Sequence, residues 1–252
     1  MMRHYLITGS ATGIGAAIKA QLLAENHQVS TIDIRDADFL IDLSDATVRQ
    51  TRLTELAARD TQYDGIITCA GVASHFPDTA KIPSINFFGS VEVIETLLPR
   101  LSAGAKILTI SSNSAPQSRN AELVAAMLAG DETNSLQLAS SGSGHEAYAS
   151  SKLAIARWVR QRAPALASQG MTINAIAPGY IETPMTLAVA ESEEYGAAIR
   201  DFVKSIPIGR PGQPEDVSQL VQFLLSPAAD FMTGNVIFLD GGHDALFRPE
   251  AI

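Results

Sequence analysis

Three glycines within seven residues, Gly9, Gly13 and Gly15, separate the apolar run Tyr5-Leu6-Ile7 from an amphipathic stretch that reaches Glu25. A glycine-rich turn that ends a strand and opens a helix limits the architecture more than any other feature of the chain. It gathers unpaired backbone N–H groups at a helix N-terminus, and the missing Cβ atoms let a diphosphate approach them. The spacing is G-x-x-x-G-x-G, and no Gly-Lys-Ser/Thr closes it, so the turn is not a Walker loop.

The alternation continues along the chain. Gln28–Ile32, Gly65–Cys69, Lys106–Ile110, Met171–Ile176 and Asn235–Leu239 read as strands. Helices are expected over about 13–25, after an N-cap at Ser44, over about 82–101, over about 147–167 and from Pro214. The last start carries proline at its first position and the acids Glu215 and Asp216 in its first turn. This β-α-β rhythm predicts an α/β fold: one doubly wound domain over residues 1–252, with helices on both faces of a parallel sheet. Ligands are then expected at the carboxyl ends of the strands.

Composition excludes several functions. With 46% apolar residues the chain can bury a large core. A net charge of −9 argues against nucleic acid and against an anionic membrane surface as partners. No run of about eighteen apolar residues spans a bilayer. One cysteine, Cys69, forbids an intrachain disulfide, and the five scattered histidines show no metal-ligand spacing, so no metal site is expected. With no secretory leader in the sequence, a cytoplasmic location is expected.

Asp33 ends the second strand, 18 positions after Gly15. An acid there accepts hydrogen bonds from an adenosine ribose and repels a 2′-phosphate, which favours NAD over NADP. Arg35 nearby works against that preference.

Tyr148 and Lys152 stand one helical turn apart, about 5–6 Å at Cβ. A free phenol, with a pKa of about 10, is a poor base at neutral pH. A neighbouring ammonium and a cationic nicotinamide favour the phenolate. Lowering the pKa by two to three units requires roughly 3–4 kcal/mol. The pair is common in ordinary helices, and the upstream glycine turn gives it meaning. Ser111 and Ser112 follow the strand Lys106–Ile110, where a hydroxyl can stabilise a developing alkoxide.

Together these residues resemble the short-chain dehydrogenase/reductase family, over nearly the whole chain. The resemblance rests on Thr8-Gly9-x-x-x-Gly13-x-Gly15, Asp42-Leu43, Ala70-Gly71, Ile85-Asn86, Ile110-Ser111-Ser112, Tyr148-x-x-x-Lys152, Pro178-Gly179 with Thr183, and Asp240-Gly241-Gly242. It implies a seven-stranded Rossmann sheet. It also implies Tyr148 as general acid/base, Ser112 orienting the substrate oxygen, Lys152 on the nicotinamide ribose and Asn86 holding a relay water. The cofactor contacts it implies are the turn residues Gly9, Ser10, Thr12, Gly13, Ile14 and Gly15, then Asp33, Asp42, Leu43, Ala70 and Gly71. Tyr148, Lys152, Pro178, Gly179, Ile181 and Thr183 complete that set.

Two departures stand out. Cys69-Ala70-Gly71 replaces the family's usual Asn-Ala-Gly. An insertion of about 113–146 separates Ser112 from Tyr148, and Asn120–Gly130 and Glu132–Ala139 read as two short helices within it. That insertion, Asp33-Ile34-Arg35-Asp36-Ala37 and the tail Asp240–Leu246 resemble bacterial 3α-hydroxysteroid dehydrogenase/carbonyl reductases within the family. The segment of about 181–204, with Met185, Leu187, Val189, Tyr195 and Phe202, resembles the family's substrate lid.

The expected activity is therefore NAD-dependent interconversion of a hydrophobic secondary alcohol and its ketone, on a steroid- or terpenoid-like ring. A reductase of 3-oxoacyl thioesters or quinones is the alternative, and an NAD-sensing regulator a third reading. Because the insertion lies beside the usual assembly face, a homodimer through the C-terminal strand and its preceding helix is expected, with a homotetramer as the other arrangement.

Overall fold

The computed structural model describes residues 2–190 and 196–251. Seven parallel strands form one sheet: β1 (His4–Thr8), β2 (Gln28–Asp33), β3 (Phe39–Leu40), β4 (Tyr63–Thr68), β5 (Leu101–Ile110), β6 (Thr172–Pro178) and β7 (Val236–Leu239). Their order is β3-β2-β1-β4-β5-β6-β7. The chain winds outward from β1 to β3, then returns to place β4 on the other side of β1. The crevice between the carboxyl ends of β1 and β4 is the switch point where such sheets bind ligands.

Side chains alternate across the sheet with period two. Leu6, Ile66, Ile107 and Ile173 face one layer of helices: α2 (Ala46–Ala57), α4 (Gly89–Leu97) and α7 (Gly144–Ala167). Tyr5, Ile7, Ile67, Leu108 and Ile176 face the other, formed by α1 (Gly13–Ala24) and α10 (Pro214–Leu225). A third apolar cluster lies off the sheet. There α5 (Ala121–Leu128) and α6 (Glu132–Ser140) pack Leu123, Val124, Met127 and Ala139 against Ala147, Ala154 and Ile155 of α7. The remaining elements are the single turn α3 (Lys81–Pro83), α8 (Pro184–Ala190), α9 (Gly196–Lys204) and α11 (His243–Phe247).

Three expectations are corrected by the structure, and one strand is new. Asp45, not Ser44, caps α2, its carboxylate accepting from the Val48 N–H at 2.9 Å. The single helix expected over 82–101 is broken: α3 passes into a π-helical turn over Ser84–Phe88 before α4 begins. Leu101 is no helix end but the first residue of β5, which starts five residues before the expected Lys106. The seventh strand, β3, is two residues long and was not located in the sequence. Of the lid residues, Tyr195 and the side chain of Val189 lie outside the described residues.

Candidate active site

The turn after β1 is built by close backbone approach. Gly9 has φ +69°, and a Cβ there would lie 2.5 Å from the Ala70 nitrogen. The buried Thr8 hydroxyl accepts from the same Ala70 N–H at 3.1 Å, tying the β1 and β4 ends together. Asp33 closes the far side. Its Oδ2 accepts from the Ala11 N–H at 3.0 Å and its Oδ1 from the Ile34 N–H at 2.7 Å. The strand-end acid is thus held against the glycine turn.

A second set of bonds joins β5 to α7. The Ser111 hydroxyl donates to the Lys152 carbonyl at 2.8 Å, and the Lys152 ammonium donates to the Ile110 carbonyl at 2.9 Å. These reciprocal ties fix the strand end carrying Ser112 against the helix face carrying Tyr148. Around Tyr148 the helix buries only small side chains, Ala147, Ala149, Ser150 and Ser151. The Ser112 hydroxyl also shares a 2.8 Å bond with that of Ser114.

Asn86 sits in the π-helical turn, a distortion frequent at functional sites. Its Oδ1 accepts from the Val72 N–H at 2.8 Å, and its Nδ2 donates to the Val72 carbonyl at 3.0 Å and to Ser151 Oγ at 3.2 Å. Gly71 stands between Asn86 and Lys152. A Cβ there would lie 3.1 Å from Asn86 Oδ1 and 3.5 Å from Lys152 Nζ. Thr183 and Thr186 hold each other at the start of α8, the Thr183 N–H donating to Thr186 Oγ1 at 2.9 Å.

One cavity of about 580 Å³ runs over the switch point. It is lined by Gly9, Thr12, Gly13, Ile14, Gly15, Asp33, Asp42 and Leu43 at one end, and by Ser112, Tyr148, Lys152, Pro178, Gly179, Ile181 and Thr183 at the other, with Ala70 and Gly71 between. Two expected site residues lie behind its wall. Asn86 is buried there, and so is Ser10, whose hydroxyl has no partner among the described residues. The cavity is also lined by Ser111, expected at this strand end beside Ser112, and by Ala11, Cys69, Val72, Phe76, Lys81, Ile85 and Thr186, which are outside the expected site set. A Thr-Pro-x-Thr helix start was the available signal for Thr186.

Burial dominates the electrostatics of the cavity. It raises the Tyr148 phenol above its ordinary pKa, an effect that contact with the Ser112 hydroxyl offsets in part. It lowers Lys152 to about 8, which Cys69 offsets in part. The Cys69 thiol is pushed up to about 12, chiefly by burial. Among the described residues no group of acids, histidines and cysteine is placed to hold a metal ion, and no helix is long and apolar enough to cross a membrane.

A dinucleotide fits these residues. The glycine turn offers backbone where a Cβ would collide, and an acid guards one end of a cavity whose other end carries the phenol and ammonium. Comparison with known proteins decides the family. The chain is 37% identical to the 3-alpha-hydroxysteroid dehydrogenase/carbonyl reductase of Comamonas testosteroni, over 98% of this chain and 99% of that one. This protein is a short-chain dehydrogenase/reductase. A family model described as NAD dependent epimerase/dehydratase matches residues 5–184, and one described as Enoyl-(Acyl carrier protein) reductase matches residues 125–244. The 3-alpha-hydroxysteroid dehydrogenase of Pseudomonas sp. B-0831, solved with NADH, superposes with a TM-score of 0.92 at 38% identity, covering 99% of this chain and 100% of that one. A diacetyl reductase of Staphylococcus aureus is 29% identical over 94% of this chain and 96% of its own length. The short-chain dehydrogenase/reductase is thus an oxidoreductase of carbonyl and CH–OH groups.

Proposed function

We propose that this short-chain dehydrogenase/reductase uses NAD(H) to interconvert a hydrophobic secondary alcohol and its ketone, on a ring of steroid or terpenoid size. The observation that carries the reading is the convergence of Ser112, Tyr148 and Lys152 on one end of a cavity whose other end is closed by Asp33. The names of the Comamonas and Pseudomonas relatives support the substrate class, and the NADH in the Pseudomonas structure supports the cofactor.

Asp33 receives the adenosine ribose, and the glycine turn receives the diphosphate. When bound, the nicotinamide supplies the hydride chemistry at its ring carbon. The chain does the rest. The Ser112 hydroxyl donates to the substrate oxygen as negative charge develops there. Tyr148 exchanges the proton at its phenolic oxygen with the substrate hydroxyl. Lys152, held by the Ile110 carbonyl, keeps its cation behind the phenol, and Asn86 anchors the loop of Gly71 and Val72 beside it. Val72, Phe76, Pro184 and Met185 give the cavity an apolar wall suited to a ring.

A screen of ring alcohols and ketones with NAD(H), read by absorbance of the reduced cofactor, tests the proposal. Turnover of ring alcohols supports it; turnover of 3-oxoacyl thioesters or quinones alone contradicts it. The match of residues 125–244 to the Enoyl-(Acyl carrier protein) reductase model is what favours that second reading.

The assembly we propose is a homodimer through α10 and β7. Helices α5 and α6 occupy one side of α7, while Phe223 of α10 and Phe231 beyond it expose their rings. Light scattering tests it: Phe231→Asp is expected to give monomer, and an unchanged dimer contradicts it.

A further inference from the structure

Arg49 is a fully buried cation that touches no part of the proposed chemistry. Its Nε and Nη2 donate to the two carboxylate oxygens of Glu92 at 2.7 and 2.8 Å. Nη2 also donates to Glu132 Oε2 at 2.6 Å, and Nη1 to the Leu43 carbonyl at 2.7 Å. The other oxygen of Glu132 accepts from the buried Ser84 hydroxyl at 2.6 Å. One guanidinium therefore joins α2, α4, α6 and the loop of Asp42 and Leu43. Through Glu132 the network also reaches the first residue of the π-helical turn that holds Asn86.

Burying a cation is costly, and a well-packed apolar side chain often does as well for stability. What an apolar residue cannot supply is a directed donor. The donor here points at the Leu43 carbonyl, and Leu43 lines the end of the cavity beside Asp33. Its side chain is wedged on α4, where a Cβ added to Gly89 would lie 3.0 Å from Leu43 Cβ. Backbone and side chain of Leu43 are thus both fixed. Glu92 alone already pairs Arg49 in bidentate fashion. Glu132 adds a second acid to the same cation, and it comes from the segment between Ser112 and Tyr148.

We propose that Arg49 is a positioning residue for the adenosine end of the dinucleotide, and that Glu132 makes helices α5 and α6 part of that control. The inserted helices then set cofactor affinity as well as covering α7. This inference rests on the reading of the cavity as a dinucleotide site.

Calorimetric titration of the full chain with AMP and with NADH tests it. Glu132→Gln is expected to weaken both by the same factor, roughly five- to tenfold, as loss of a charge-assisted bond implies. KM for NAD rises by that factor, while kcat at saturating NAD changes by less than about twofold. A purely structural defect would lower kcat and the thermal midpoint together. Folded Glu132→Gln that binds AMP like the parent overturns the proposal. Should that variant fail to fold, Arg49→Lys carries the same test, because an ammonium cannot bridge Glu92, Glu132 and Leu43 together. Weakened AMP binding supports the proposal and unchanged binding overturns it. In the double variant, a loss no greater than that of Arg49→Lys alone is expected, and an additive loss overturns the role of Glu132. A parent chain that binds neither probe overturns the dinucleotide reading itself, which separates the two failures.

Discussion

Lys152 stands beside Tyr148 without bonding to its phenol. The ammonium lies 5.7 Å from the centre of the Tyr148 ring and gives its hydrogen bond to the Ile110 carbonyl at 2.9 Å. The strand end thus holds the cation at a fixed place beside the phenol. The cost is a buried charge with a single hydrogen-bond partner among the described residues.

That cost is measurable. Lys152, lowered to about 8 by burial, binds fewer protons folded than unfolded between pH 8 and its ordinary 10.5. Its contribution to stability therefore rises with pH across that window, and below it the charged form opposes folding by roughly 3 kcal/mol. Lys152→Met is expected to raise the urea midpoint at neutral pH, by about 1–3 kcal/mol in stability, while abolishing turnover. A lower midpoint would show that the cation stabilises the fold.

Asp33 is expected to set the cofactor preference. Its carboxylate is fixed by the Ala11 and Ile34 N–H groups at 3.0 and 2.7 Å, so it cannot swing away from a 2′-phosphate. Asp33→Ala should reduce the ratio of kcat/KM for NAD over NADP by about tenfold or more. An unchanged ratio, measured by initial rates with both cofactors, would assign discrimination elsewhere.

Glu146 latches the start of the inserted segment to α7. Its Oε1 accepts from the Arg119 and Asn120 N–H groups at 2.8 and 3.0 Å and from the Ser150 and Ser118 hydroxyls at 2.9 and 3.2 Å. Burial works to raise its pKa, and these four donors outweigh it, holding the carboxyl below its ordinary 4.5. A depressed carboxylate contributes stability that is present above 4.5 and lost as pH falls through the folded value. The protection of 121–128 against hydrogen exchange, relative to intrinsic rates at the same pH, should therefore fall as pH drops below about 4.5 in the parent, and Glu146→Gln should show weak protection there at every pH. Equal protection at neutral pH in both proteins would refute the latch.

What the sequence revealed of this site was its local part. The glycine turn and the Tyr148–Lys152 spacing lie within single elements, so their geometry follows from a turn or a helix face. The alternation of strands and helices likewise predicted the parallel sheet that was found. Features set by tertiary contact were not visible. Arg49 reads as an ordinary helix-surface arginine, because its partners Glu92 and Glu132 are 43 and 83 residues away. The break before Asn86 is invisible because Ser84–Phe88 keeps a helical pattern while its hydrogen bonding shifts register. The cap moved from Ser44 to Asp45 because both residues can cap, and only Asp45 reaches the Val48 N–H. β3 is too short to carry a period.

The central claim is that the Tyr148 phenol moves the proton while the rest of the cavity holds the dinucleotide. Tyr148→Phe removes one oxygen and leaves Lys152, Ser112 and the glycine turn in place. The direct measurement is NADH affinity and turnover of a ring ketone for this variant beside the parent. The account predicts a dissociation constant for NADH within about threefold of the parent and a kcat lower by at least about a hundredfold. Parent-like turnover with NADH bound would contradict it.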